Sequence, residues 1–200
     1  ESSSSSRVTN ESPILLKFTA DDTILDFELS DIIVTGGTLE ELSGHGRPWV
    51  AAISCEDDGL KSIRVDAASF RDKAGNTNEN QTTFEWTFDS THPTMSIAAD
   101  QFSSNNDYSN ADMVTLTFTS SENTNDFDAS DVICEGGVLS DFLGSGTTYT
   151  ATFTPTGGDG EKAVRVRSGS FHDHAGNGNV NADSNSGGGW VLVFRHDSEK

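Results

Sequence analysis

Cysteine, proline, methionine and basic residues are all scarce in this chain of 200 residues, which has two Cys, four Pro, two Met and 12 Lys plus Arg. Two cysteines are too few for a disulfide framework. The 12 basic residues face 32 acidic ones, giving a net charge of -20. That imbalance argues against nucleic acid and anionic lipid as partners, because both are polyanions. No apolar run approaches the roughly 20 residues that a spanning helix needs, so membrane insertion is not expected. Sustained helical spacing is missing as well. There is no Gly-x-Ser-x-Gly elbow, and no His–carboxylate–nucleophile set recurs along the chain. The glycine-rich stretches "GSGTT" and "GGDGEK" have no helix after them to cradle a phosphate. These absences argue that the chain is not an enzyme.

What is present is a repeat. "SFRDKAGNTN" begins at Ser69 and "SFHDHAGNGN" at Ser170, so Ser-Phe-x-Asp-x-Ala-Gly-Asn-x-Asn occurs twice, 101 positions apart. Upstream the spacing is 100, relating Phe18 to Phe118, Phe27 to Phe127, and "SDIIVTGGTL" to "SDVICEGGVL". Downstream, "FEWTF" meets "WVLVF" at a spacing of 106. Two copies of one module, with their length differences placed in loops, account for all of this.

Each copy alternates as strands do. Ile14, Leu16 and Phe18 match Val114, Leu116 and Phe118, each set separated by polar or outward residues. Trp49, Ala51 and Ile53 match Tyr149, Ala151 and Phe153; Ile63 and Val65 match Val164 and Val166; Phe84, Trp86 and Phe88 match Trp190, Leu192 and Phe194. Gly-Gly, Gly-x-Gly and Gly-Asp-Gly separate the runs. Short strands between glycine turns predict an all-β fold of two tandem antiparallel β-sandwiches. The first domain takes residues 11–91 and the second 92–200. Residues 1–10 read as a linker or as the truncated start of the first module, "ESSSSS" having linker composition. After Pro93, Thr94–Ile97 reads as a first strand of the second domain. Its counterpart in the first domain falls before residue 1, so the first module is expected to lack that strand.

The motifs Phe-x-x-Ser-Asp-Ile/Val, Gly-Gly-x-Leu, Gly-x-Gly-x-x-Tyr, Thr-Pro and Phe-x-Asp-x-Ala-Gly-Asn follow in that order through the second copy. In this the chain resembles the bacterial Ig-like repeats of large Bap-type and RTX-type surface adhesins. The first copy departs at Trp49, where the tyrosine would stand, and at Ser54-Cys55, in place of Thr-Pro. The resemblance implies tandem Ig-like domains serving as non-catalytic spacers of an extracellular adhesin or cell-surface filament. Neighbouring Ig-like repeats of the same chain would be the main partners, with lateral self-assembly or surface glycans as further ones. The alternatives are a glycan- or protein-binding module, with Trp49 or Tyr149 as a platform, and a domain appended to a secreted hydrolase.

Oxygen-rich side chains gather at the module ends. Asp72 and Asn76 with Asp89, and Asp173 and Asn177 with Asp197, are candidate calcium ligands, since calcium takes six to eight oxygens. The resemblance adds that related arrays bind calcium near domain junctions. The competing reading makes these residues turn caps and surface charge. The "HDH" at His172–His174 is a poor zinc site, because a structural site wants four ligands and the first copy has Arg71 and Lys73 there. Asn10 and Asn80 head Asn-x-Ser/Thr triplets and are candidate glycosylation positions. Cys134 reads as a small buried hydrophobe, while Cys55, at a strand end, is a candidate for an interchain bond.

Overall fold

The computed structural model describes residues 7–46, 48–100, 108–180 and 191–196. The chain divides into two compact units, Glu1–Thr91 and His92–Lys200. The first contains β1 (Val8–Thr9), β2 (Ile14–Phe18), β3 (Ile32–Thr35), β4 (Thr38–Gly44), β5 (Trp49–Ser54), β6 (Gly59–Val65) and β7 (Thr82–Phe88). The second contains β8 (Met95–Ala99), β9 (Tyr108–Ser109), β10 (Val114–Thr124), β11 (Val132–Glu135), β12 (Gly137–Pro155), β13 (Gly160–Val166) and β14 (Val191–His196). One 3-10 turn precedes β3 and another precedes β11, at Leu29–Asp31 and Ala129–Asp131.

Each unit is a two-sheet sandwich. In unit 1 the sheets run β1-β7-β6-β3 and β2-β5-β4; in unit 2 they run β9-β14-β13-β11 and β8-β10-β12. The registers show the repeat in space. Phe18 pairs with Trp49 and Phe118 with Tyr149; Val34 pairs with Ile63 and Cys134 with Val164. Pairing is antiparallel except for β1 with β7 and β9 with β14, two short parallel contacts that the sequence pattern did not signal.

Alternation buries one face of each strand against the facing sheet. In unit 2, Val114, Leu116, Phe118, Phe153, Val164 and Phe171 are all fully enclosed. Phe127 sits at the middle of that core, with ring centroids 5.0 Å from Tyr149 and 5.1 Å from Phe171. Phe27 has the matching place in unit 1, 5.4 Å from both Phe18 and Phe70. Fully burying one such side chain contributes about 1.5–3 kcal/mol.

The units differ at one edge. The sheet of unit 2 ends on β8, whose Leu116–Ala99 and Phe118–Ile97 pairs extend β10 outward. In unit 1 the corresponding sheet ends on β2, and among the described residues no strand lies beyond it. Residues Val8–Thr9 join the other sheet, beside β7. The strand expected at Thr94–Ile97 is observed at Met95–Ala99.

Candidate functional site

The repeated loop connects β6 to β7 and β13 to β14, and its shape follows from three polar side chains. Asp173 Oδ1 accepts the N–H groups of Ala175 (2.8 Å), Gly176 (2.8 Å) and Asn177 (2.9 Å), while its Oδ2 accepts Asn177 Nδ2–H at 2.9 Å. In unit 1, Asp72 Oδ1 accepts Asn76 N–H and Oδ2 accepts Asn76 Nδ2–H, both at 2.8 Å. A short side chain that takes several N–H groups ahead of it forces a tight turn. Gly75 and Gly176 complete it at φ of 91° and 97°, which side-chain-bearing residues rarely adopt.

The last asparagine of the motif closes the loop, a role the sequence reading did not assign. Asn179 Oδ1 accepts Ser170 N–H at 2.8 Å and Phe171 N–H at 3.1 Å, and its Nδ2 donates to the Arg167 carbonyl at 2.8 Å. Asn78 repeats the pattern with Ser69 (2.9 Å), Phe70 (3.2 Å) and the Asp66 carbonyl (2.7 Å). This amide fixes the backbone of the core phenylalanine. Its presence in both copies was the available signal.

A second carboxylate reaches each loop from the segment that follows β2 or β10. Asp26 Oδ1 accepts Arg71 N–H at 2.6 Å, and Asp126 Oδ1 accepts His172 N–H at 2.8 Å. Asp126 Oδ2 also meets His172 Nδ1 at 2.9 Å. Burial pushes the Asp126 carboxyl up, but the bonds from His172 and Thr124 outweigh it and leave the group below its ordinary value. Bonds from the Asn76 side chain, then from its N–H, hold Asp72 low as well. His172 and His174 are both exposed.

Two pairs among the candidate calcium ligands, Asp72 with Asn76 and Asp173 with Asn177, are each joined by a hydrogen bond within one turn. Asp89 is engaged at the end of β7, where its N–H donates to the Thr9 carbonyl at 3.1 Å and its Oδ1 accepts Thr91 N–H at 3.1 Å. Asp197 lies outside the described residues. Asn10 and Asn80 are both exposed. Cys55 is buried, its N–H bonded to Ser12 Oγ at 2.8 Å, so its thiol is not offered to another chain. Cys134 is half-buried on β11, and burial raises its thiol pKa.

Of the two aromatic platform candidates, Tyr149 is buried and its hydroxyl donates to the Thr124 carbonyl at 2.9 Å. Trp49 takes the same place in unit 1 but is only half-buried. It lies in the wall of a trough of about 960 Å³ that also includes Leu16, Phe18, Phe70 and Phe84.

A family model described as a bacterial Ig-like domain matches residues 2–87 and again residues 89–187. Among curated proteins, none matches the chain.

Proposed function

Since the chain belongs to the bacterial Ig-like domain family twice over, we propose that it is a non-catalytic spacer of an extracellular adhesin or cell-surface filament. One observation carries this reading. Between the copies, the groups that build the fold persist and the outward groups of the same loop change. Asp72/Asp173, Asn78/Asn179 and Phe70/Phe171 recur, whereas Arg71/His172 and Lys73/His174 do not. A binding or catalytic loop would place its recurring residues outward, where a ligand could meet them. Here the recurring residues are bonded into the turn or enter the core.

Mechanical work suits this architecture, since a series of separate cores resists extension one module at a time. Stretching single molecules should give two unfolding events per chain, each releasing roughly 300 Å for a module of this size. A single event, or extension without resistance, would count against a load-bearing spacer. Antibody or protease access to the chain on intact cells would test the surface location.

We assign Asp72 and Asp173 to turn capping rather than to calcium. Three N–H donors already surround Asp173 Oδ1, which leaves that oxygen little room for an ion. Melts in chelator and in millimolar calcium should then coincide. A calcium-induced rise in melting temperature that Asp173→Ala removes would restore the ion-binding reading.

A further inference from the structure

The segment that joins the two modules is tied down along its whole length. Each residue from Asp89 to Thr94 is bonded within the module on its own side. In unit 1, Gly59 pairs with Phe88 at the last rung of β6 and β7, so Asp58 stands beside the chain as it leaves the sheet. Asp58 Oδ1 accepts the Ser90 N–H at 2.7 Å and the Ser90 hydroxyl at 2.8 Å. Its Oδ2 accepts the Thr91 hydroxyl at 2.6 Å. Asp89 donates its N–H to the Thr9 carbonyl at 3.1 Å, and Asp89 Oδ1 accepts the Thr91 N–H at 3.1 Å. In unit 2, His92 Nδ1–H donates to the Gly178 carbonyl at 2.8 Å. Pro93 is fully buried, and its carbonyl accepts the Val180 N–H at 2.9 Å. Thr94 donates its N–H to Ser121 Oγ and accepts the Ser121 N–H, both at 2.9 Å.

We propose that this segment is a latched, single-step hinge. Asp58 fixes the chain as it leaves unit 1, Gly178 and Val180 of the repeated loop fix it as it enters unit 2, and bending is confined to the Thr91–His92 step. A free coil of six residues would let its ends wander over roughly 12–15 Å. Here the torsions on either side of that step are the soft ones that remain. Pro93 fixes its own φ and holds His92 in the extended region, and residues 89–94 include no glycine. The latch is strong for its size, because bonds to a carboxylate are about twice as strong as neutral ones. It is also separable from the cores, since Asp58, Ser90 and Thr91 are all exposed. Such a hinge lets direction vary while adding no slack. The proposal rests on these bonds and holds whether or not the chain is a spacer.

The test follows amide exchange residue by residue in the full chain, together with nitrogen relaxation, which reports whether the modules tumble together. Asp58→Ala should speed exchange of the Ser90 N–H at least about tenfold and make the two modules tumble more independently. Ser90→Ala combined with Thr91→Val approaches the latch from the other side. It removes both hydroxyl partners and leaves the Ser90 N–H bond, so it should loosen the segment in the same direction but by less. Two glycines inserted between Thr91 and His92 set the upper limit of independent tumbling. Slow amides inside both cores, unchanged in every variant, would show that the modules themselves stay folded. If Asp58→Ala leaves Ser90 exchange and the tumbling as they are in the parent, the latch is overturned. It is equally overturned if the parent already tumbles as loosely as the glycine insertion.

Discussion

At the scale of single residues, Asn179 offers a direct test of how the loop is closed. Asn179→Ala would strand the N–H groups of Ser170 and Phe171 and the carbonyl of Arg167, all of which that side chain serves. A buried group left without a partner costs about 1–3 kcal/mol, so a loss of about 2–3 kcal/mol in urea denaturation is expected. Asn179→Asp keeps the acceptor and still fails at the Arg167 carbonyl, so it should not rescue. A loss below about 0.5 kcal/mol would mean that water replaces the amide freely. Gly144 is a second sensitive point. At φ 139° an added Cβ would lie 2.5 Å from Tyr149 Cα, so Gly144→Ala strains the main chain and leaves the neighbour nowhere to move. The Asp-x-Ala-Gly-Asn turn was legible from its residue types alone. The closing asparagine was not, because its bonds reach back eight to twelve positions and nothing local distinguishes it from a solvated one.

At the scale of elements, alternation disclosed the strands that bury one face, and for a physical reason. Phe118 and Leu116 must face the core while Thr117 and Thr115 need not, and that demand is written with a period of two. β1 and β9 escaped because two residues cannot show a period, and their parallel pairing needs no side-chain signature. The difference between β2 and β10 was hidden for another reason. Their patterns agree, and only a neighbouring strand decides how far the ladder extends. Carboxylates cap the element ends. Asp58 holds Thr91 and Ser90 after β7, with the Thr91 hydroxyl bond and then the Ser90 bonds lowering its pKa from 3.8. Asp128 is lowered by the Ser130 hydroxyl and then by its N–H. Asp72 and Asp126 are lowered as well, whereas burial raises Asp131. A group with a depressed folded pKa stabilises the fold above its unfolded value and loses that contribution as pH falls through the folded value. Four lowered groups against one raised group predict a decline in urea midpoint that begins below about pH 4. Acid also relieves the repulsion of a net charge of -20. The decline should therefore be clearest in high salt, where that repulsion is already screened. A midpoint that rises steadily to pH 3 in high salt would show that the caps contribute little.

At the scale of the whole molecule, two separate cores should give two transitions. Met95, Phe118, Phe127 and Phe171 belong to one apolar cluster, and Phe27, Ile53, Ile63 and Trp86 to the other. Each small sandwich is expected to unfold cooperatively by itself. Their stabilities should differ in a definite direction. Unit 1 leaves Phe18, Trp49, Phe70 and Phe84 half-buried, whereas Phe118, Tyr149 and Phe171 are buried in unit 2. At roughly 25 cal/mol per Å² of apolar surface, several half-open aromatic rings amount to a few kcal/mol. Unit 1 should therefore melt first. Substitutions assign the transitions: Phe171→Ala should cost about 3–5 kcal/mol and move only the upper one. Phe70→Ala should move only the lower one, and by less, because less of its ring leaves water on folding. Calorimetry of the parent and both variants checks this. If Phe171→Ala shifted both transitions together, the cores would not be energetically separate. If Phe70→Ala cost as much as Phe171→Ala, the half-open edge of unit 1 would not be what sets its stability.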